Sequence, residues 1–207
     1  MKIYCLNLNR RPDRWEECKK QFKKYNIKVE RFEATDGNQL PKLPEMTSGE
    51  VGIIHSYIRI LQDAIKNKYK SILIYEDDIE LVDNFTETFE LYMRQVPHDW
   101  EIINLGGFNN RKRLNFVDKN IYKMEHTLTT HAIMFKNTVY SDILEMISKY
   151  KHTLDVALSV NYYRYKSYGM YPAIVIQKRG YSDIQNRTMD MGRLIRINEK
   201  YNGIWQQ

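Results

Sequence analysis

Residues 71–78 read Ser-Ile-Leu-Ile-Tyr-Glu-Asp-Asp, so four strand-forming side chains run without a polar break into three consecutive carboxylates. A continuous apolar run of this length is typical of a strand that is covered on both faces, as in a parallel sheet between two layers of helices. Ligands of open α/β sheets bind at the carboxyl ends of the strands, where this strand would place Glu76, Asp77 and Asp78. Mg²⁺ and Mn²⁺ prefer such oxygen ligands and often share them with substrate phosphates. The stretch therefore predicts a divalent metal with a phosphate-containing ligand, although acidic residues in this position can also solvate a loop or lead into a helix.

The pattern on either side of this stretch predicts an α/β fold. Strand and helix patterns alternate before it, with strands over residues 2–8 and 28–34 and helices over residues 12–24 and 49–65. Ser48 is the predicted N-cap of the second of these helices. After it we predict strands over residues 100–105, 129–135 and 171–177, a hairpin over 111–124, and helices over 85–96, over 138–149 and from Thr153. These elements indicate a Rossmann-like, mixed but mainly parallel sheet with helices on both faces.

Length and composition favour one globular domain over residues 1–207. The chain has a hydrophobic fraction of 43% and a charged fraction of 28%, which are ordinary globular values. Its net charge of +6 favours anionic partners such as nucleotide phosphates, lipid head groups or nucleic acid, but scattered surface lysines explain it equally well. Cys5 and Cys18 show no CxxC spacing, which indicates reduced thiols. With no apolar signal-peptide stretch and no membrane-length apolar run, we expect a cytoplasmic protein, and peripheral contact with a membrane stays open.

Several motifs are missing from the sequence, and their absence narrows the function. There is no G-x-G-x-x-G after the first strand, no P-loop, no HExxH and no G-x-S-x-G, which disfavours a dinucleotide cofactor, zinc and a serine hydrolase. A metal-dependent transferase of nucleotidyl or phosphoryl groups remains one interpretation. Another is a basic module that binds nucleic acid or an anionic surface, with structural carboxylates. The sequence has no basic stripe with interleaved aromatic residues, which would have supported the interpretation as a binding module.

The turn after the first strand carries Arg10, Arg11 and Arg14. Guanidinium groups bind phosphate in a bidentate fork, so these side chains could face the phosphates of a ligand at the sheet edge. Ordinary helix-surface arginines are an equal alternative from this stretch alone.

Several segments, in the same order, resemble the motifs of glycosyltransferase family 25, which includes lipopolysaccharide glycosyltransferases and collagen galactosyltransferases. Residues 3–14 resemble its NL-x-R-R-x-x-R motif, and residues 31–37 its R-x-x-A-x-D-G motif. Residues 48–56 are similar to the helix G-E-x-G-C-x-x-S-H, and residues 73–78 to L-E-D-D. Later blocks at residues 99–106, 154–155, 177 and 182–184 are looser. Two positions depart from the pattern, since Ile53 stands in place of Cys and Tyr57 in place of His.

The resemblance implies a GT-A fold, a UDP-sugar donor, Mn²⁺ or Mg²⁺, and transfer of a hexose such as galactose or glucose with inversion. Residues 1–110 would bind the donor, and residues 111–207 would supply the acceptor site. Glu76 and Asp78 would hold the metal. The residues expected near the donor are Asn7, Arg10, Arg11, Arg14, Asp36, Gly37, Ser56 and Asp77.

An inverting transfer also needs a carboxylate that takes the proton from the acceptor hydroxyl. Asp155, at a predicted helix start, is the first candidate, and Asp183 is the second; a capping role is the alternative for each. His131, Gln177 and Ser182 are expected near the acceptor or behind the metal ligands, and a buried, hydrogen-bonded His is the alternative for His131. The acceptor would be a glycan, glycolipid or glycoprotein. The basic tail, residues 185–207, could cover the acceptor site, touch a membrane or pair with another subunit.

Overall fold

The structure, a computed structural model, describes residues 1–109, 114–182, 184 and 187–189. Its helices are α1 (Pro12–Lys24), α2 (Ser48–Lys66), α3 (Phe85–Met93), α4 (Tyr140–Ile147) and α5 (Leu154–Ser159). Its strands are β1 (Lys2–Asn7), β2 (Glu30–Glu33), β3 (Ser71–Glu76), β4 (Ile79–Leu81), β5 (Ile102–Asn104), β6 (Phe108–Asn109), β7 (Asn115–Asp118), β8 (Ile121–Lys123), β9 (Thr127–Leu128), β10 (Ala132–Lys136), β11 (Ser167–Met170), β12 (Val175–Gln177), β13 (Gly180–Ser182) and β14 (Arg187–Met189).

The main sheet has eight strands within the described residues, in the order β2-β1-β3-β10-β5-β11-β8-β7. Strand β10 lies antiparallel between β3 and β5, and β8 lies antiparallel between β11 and β7. The other six strands therefore run in one direction. The predicted fold class, a mixed and mainly parallel sheet, is confirmed.

Helices cover both faces of this sheet, and β3 shows why. Ile72 and Ile74 point into one core, which α2, α4 and α5 cover, whereas Leu73 and Tyr75 point into the other, which α1 and α3 cover. All four side chains are buried. The alternation of side chains along a strand explains how one apolar run serves two cores. The interpretation of residues 72–75 as a strand buried on both faces is therefore confirmed.

Helix α2 begins with a capping box. The Thr47 hydroxyl accepts a hydrogen bond from the Glu50 amide at 3.2 Å, and the Glu50 carboxylate accepts one from the Thr47 amide at 2.7 Å. Thr47 is therefore the N-cap, and the prediction of Ser48 was wrong by one residue. The capping box gives the amides of Thr47 and Glu50 hydrogen-bond acceptors that they would otherwise lack.

The last part of the predicted sheet was wrong. Residues 171–177 were predicted as one strand, but only Val175–Gln177 is extended, and it pairs with β4 outside the main sheet. The main-sheet strand is instead β11, whose Ser-Tyr-Gly-Met sequence carries no strand pattern. Gly169 is required there, since a Cβ atom would lie 2.2 Å from Cζ of the Tyr122 ring.

Other elements were found with shifted ends. Helix α3 ends at Met93 instead of residue 96, and α4 begins at Tyr140, after a 3₁₀ turn over Asn137–Val139. The predicted hairpin is present as β7 and β8. None of the helices in the described part of the chain combines the length and the hydropathy that a membrane span requires.

Candidate active site

A cleft of about 160 Å³ opens at the carboxyl edge of β1, β2 and β3. Ser48, Gly49 and Ile53, from the first turns of α2, form part of its wall. Nine of the residues predicted for the site line it, namely Arg10, Arg14, Asp36, Gly37, Ser56, Glu76, Asp77, Asp78 and Gln177. The fold thus gathers these residues at the sheet edge where the sequence predicted a ligand.

The three carboxylates at this edge have different surroundings. Both oxygens of Asp77 accept hydrogen bonds from side chains of the protein. Its Oδ1 accepts a hydrogen bond from Arg14 Nη1 at 2.9 Å, and its Oδ2 accepts one from Asn7 Nδ2 at 2.7 Å. The side chains of Arg14 and Asp77 are only 15% and 10% exposed. Burial raises the pKa of Asp77, and the Arg14 guanidinium opposes that shift. Asp77 therefore stabilises the cleft wall by binding both Arg14 and Asn7.

Asn7 lies behind Asp77 and is 1% exposed. Its Oδ1 accepts hydrogen bonds from Arg31 Nε at 2.9 Å and Arg31 Nη2 at 2.6 Å, while its Nδ2 also donates to the Arg11 carbonyl at 2.8 Å. Both polar atoms of the amide are thus engaged by the protein. The structure places Asn7 as a support of the turn, beneath the cleft surface.

The other two arginines of the first turn diverge. Arg11 forms a fork with Asp13, at 3.1 Å from Nε and 2.8 Å from Nη2, and it lowers the pKa of Asp13 to about 2. It is not among the residues that line the cleft. Arg10 does line the cleft, with its side chain 45% exposed and its Nε 3.4 Å from Asp36 Oδ2. Of the three, Arg10 is the one that combines a place in the cleft with solvent exposure.

The loop after β2 is fixed against α2. Asp36 Oδ1 accepts a hydrogen bond from the Asn38 amide at 3.0 Å, which together with Arg10 lowers the pKa of Asp36. Gly37 packs so tightly that a Cβ atom would lie 1.7 Å from the Ser48 carbonyl oxygen. The buried Ser56 hydroxyl accepts a hydrogen bond from the Thr35 amide at 2.9 Å. Ser56 and Gly37 therefore shape this wall by holding the loop in place.

Glu76 and Asp78 each accept a hydrogen bond from a neutral side chain. Thr130 Oγ1 donates to Glu76 Oε1 at 2.8 Å, and Gln177 Nε2 donates to Asp78 Oδ2 at 2.8 Å. Burial and the nearby charge of Asp78 raise the pKa of Glu76 well above its usual range. Two such carboxylates repel each other unless a cation lies between them.

This donor set suits Mg²⁺ or Mn²⁺. Both ions take hard oxygen ligands, and Mg²⁺ is commonly held by one or two carboxylates together with substrate phosphates. Among the described residues there is no group of three or more His, Cys, Asp or Glu side chains that could hold a metal ion. A pair of carboxylates would therefore need oxygen ligands from the substrate or from water to complete the coordination of the metal.

Asp155 lies on the same side of the sheet, where its charge contributes to the raised pKa of Glu76. It is half-buried in the first turn of α5, and its Oδ1 accepts hydrogen bonds from the Thr153 hydroxyl and the Val156 amide, both at 2.9 Å. The N-cap of α5 is Thr153, which makes no side-chain capping hydrogen bond, so the alternative of Asp155 as the N-cap is wrong. The Asp155 carboxylate instead lies within the first turn, next to the carboxylate cluster. The second candidate base, Asp183, lies outside the described residues, as does the side chain of Ser182.

His131 is 1% exposed, and its Nε2 lies 3.1 Å from the Val175 carbonyl oxygen. Burial lowers the pKa of His131 to about 4, so the imidazole is neutral at physiological pH. The geometry matches the alternative of a buried, hydrogen-bonded histidine.

The sequence reasoning gave no role to Thr130 or Arg31, which contact Glu76 and Asn7. Arg31 carried a weak signal, because it belongs to one of the motifs quoted above. Thr130 carried none, since it approaches Glu76 only because β10 pairs with β3 in the antiparallel direction. The Glu76 amide donates to the His131 carbonyl at 2.9 Å, which brings residue 130 alongside.

The mixed sheet with helices on both faces and the carboxylate-lined cleft at its edge have the architecture of a GT-A-like fold. The chain belongs to glycosyltransferase family 25: the family described as Glycosyltransferase family 25 (LPS biosynthesis protein) matches residues 1–170. The resemblance of the sequence motifs is thereby confirmed.

Similar proteins include a procollagen lysyl hydroxylase and glycosyltransferase of Acanthamoeba polyphaga mimivirus, 31% identical over 142 residues. A glycosyltransferase 25 family member of Drosophila melanogaster is 33% identical over 134 residues. Each match covers 55% of this chain but only 15% of the viral and 21% of the insect protein. A solved glycosyltransferase involved in glycosylation of the major capsid of PBCV-1 shares the fold, with a TM-score of 0.53, 7% identity, and coverage of 96% of this chain and 98% of that chain.

Proposed function

We propose that this protein is a metal-dependent, inverting glycosyltransferase that moves a hexose such as galactose or glucose from a UDP-sugar to a hydroxyl group of a glycan, glycolipid or glycoprotein. The main observation in support of this function is that two neighbouring carboxylates, Glu76 and Asp78, line the cleft at the carboxyl end of β3. Family membership supports the transferase class, and the carboxylate pair supports the metal and the diphosphate.

In this proposal Glu76 and Asp78 hold Mn²⁺ or Mg²⁺, which would neutralise the charge that develops on the UDP leaving group. Gln177 orients Asp78 through its hydrogen bond, and Asp77 stays bound to Arg14. Arg10, on the exposed rim of the cleft, supplies positive charge toward the phosphates.

The proton of the acceptor hydroxyl needs a base on the opposite side of the sugar from the leaving group. Asp155 is the described carboxylate that we propose for it, since it lies near Glu76 but outside the cleft lining. The acceptor oxygen bonds to the anomeric carbon, the bond from that carbon to the UDP oxygen breaks, and the proton goes to the carboxylate. Asp183 remains the second candidate for the base.

We also propose a cytoplasmic location, which the free thiols of Cys5 and Cys18 support.

Calorimetric titration of UDP tests the donor side, first with Mn²⁺ and then with EDTA. We expect binding that requires the metal and that Asp78→Asn abolishes. Glu80→Gln is the matched control, because this exposed carboxylate lies two residues away on β4. Hydrolysis of a panel of UDP-sugars then identifies the transferred sugar. Equal UDP binding in Mn²⁺ and EDTA, or by Asp78→Asn, would contradict the metal-dependent mechanism.

A further inference from the structure

The turn before β10 holds a residue in an unfavourable backbone conformation. Thr129 has a φ of 70°, in the left-handed region that a β-branched side chain rarely adopts. Such conformations persist where the surrounding structure fixes them, and they concentrate at functional sites.

Two buried side chains from different elements hold this turn. Asn104 of β5 donates from Nδ2 to the Thr129 carbonyl at 2.9 Å, and Tyr57 of α2 donates from its hydroxyl to the Thr130 carbonyl at 3.0 Å. Asn104 and Tyr57 are both fully buried. Two consecutive carbonyl groups are therefore bound by the sheet on one side and by the helix on the other.

The residue presented by this turn is Thr130, whose hydroxyl donates to Glu76 Oε1 at 2.8 Å. Glu76 has a flexible side chain and lies close to the negative charges of Asp78, Asp77 and Asp155. Without a donor on Oε1, repulsion favours rotamers that turn the carboxylate away from its neighbours. The Thr130 hydroxyl opposes this, because its geometry is fixed by the clamped turn.

We infer that Tyr57 and Thr130 are positioning residues for the metal site: Tyr57 fixes the carbonyl of Thr130, and the Thr130 hydroxyl fixes the Glu76 carboxylate in the orientation that binds the cation. The inference rests on the proposed function, because it concerns the same metal. Tyr57 stands where the motif that α2 resembles carries His, so this contact belongs to this chain's own residues.

Binding of Mn²⁺ to the nucleotide-free protein, followed by the electron paramagnetic resonance of free Mn²⁺, tests the contact with Glu76. Thr130→Val keeps the shape of the side chain but loses the donor, and we expect about tenfold weaker Mn²⁺ binding, as for other groups that orient metal ligands. Thr130→Ser keeps the hydroxyl and should bind within about twofold of wild type, by the same reasoning. Wild-type affinity in Thr130→Val would overturn the inference.

The role of Tyr57 is tested by a double-mutant cycle. Tyr57→Phe alone should weaken Mn²⁺ binding, but in the Thr130→Val background it should cause no further loss of affinity, because it acts through Thr130. Tyr140→Phe is the control, since this tyrosine is also buried and its hydroxyl has no hydrogen-bond partner among the described residues. It should leave Mn²⁺ affinity unchanged. Additive losses in the double variant would overturn the role of Tyr57.

Melting temperatures separate folding from positioning. If Tyr57→Phe fails to fold, Thr130→Val and Thr130→Ser still decide the contact with Glu76. Wild-type protein that binds no Mn²⁺, with or without UDP, would overturn the proposed function and this inference together. Wild-type protein that binds Mn²⁺ with the same affinity as Thr130→Val would overturn the inference and leave the proposed function intact.

Discussion

Arg14 and Asp77 form an ion pair of 2.9 Å inside the wall of the cleft, with side chains that are 15% and 10% exposed. Asn7 donates to the second oxygen of the same carboxylate. The middle carboxylate of the acidic run is thus bound by the protein, whereas Glu76 and Asp78 accept hydrogen bonds from the neutral side chains of Thr130 and Gln177. This division of roles depends on one arginine.

Arg14→Met should destabilise the fold by about 3 kcal/mol, since removal of one partner of a buried pair leaves an uncompensated charge. Urea unfolding followed by circular dichroism measures the change in the free energy of unfolding. Arg11→Met is the matched control, because Arg11 pairs with Asp13, whose side chain is 63% exposed, and exposed pairs contribute about 0 to 1 kcal/mol. Equal losses in the two variants would show that the Arg14 pair has no special role.

Gly37→Ala should destabilise the protein by about 1–3 kcal/mol or more, because the added Cβ atom meets the backbone oxygen of Ser48 at 1.7 Å. Backbone cannot rotate away as a flexible side chain can, so the loop after β2 must move off α2. The cleft should change shape with it, and UDP affinity should fall. Gly180→Ala is the control, since among the described residues a Cβ atom there meets no neighbouring atom within 4 Å. A melting temperature for Gly37→Ala equal to that of Gly180→Ala would contradict this packing.

The sequence could predict β3 and the position of its carboxylates because the strand is buried on both faces and residues 72–75 form a run without a polar break up to Glu76. The alternation before it likewise predicted β1, α1 and α2. In contrast, β10 has an apolar pattern that suits either direction, and its insertion between β3 and β5 depends on pairing with residues that are distant in the sequence, such as Ala132 with Tyr75 and Ile133 with Asn104. Thr130 therefore gave no signal in the sequence.

The different contacts of the three arginines in the first turn could not be predicted from the sequence either. The three side chains are chemically alike, and only the folded chain shows that Arg14 reaches Asp77, that Arg11 reaches Asp13 and that Arg10 lines the cleft. Strand β11 was missed for a related reason. Its Gly169 is selected by the ring of Tyr122 on the neighbouring strand, a contact between distant parts of the chain.

Gln177→Met should weaken metal-dependent UDP binding about tenfold, as expected for the loss of a group that orients a metal ligand. The amide donates to Asp78 Oδ2 at 2.8 Å, and methionine has a similar length without a donor. Gln177→Glu should weaken binding further, because it places another negative charge beside Asp78. Calorimetry in Mn²⁺ measures both. Wild-type affinity in both variants would show that β12 does not orient Asp78.

Because His131 is buried, we expect the free energy of unfolding to decrease as the pH is lowered. The pKa of its imidazole is lowered from 6.5 to about 4 by burial, so between these values the unfolded chain binds a proton that the folded chain does not. Its contribution to stability is therefore complete above pH 6.5 and is lost as the pH falls toward 4, by about 3 kcal/mol in total. His131→Gln keeps a donor toward the Val175 carbonyl but removes the titration. We expect the free energy of unfolding of wild type to fall between pH 7.5 and pH 5 by about 2 kcal/mol more than that of His131→Gln, measured by urea unfolding at both values. Parallel changes in the two proteins would mean that His131 titrates normally in the folded state and that its burial does not hold it neutral.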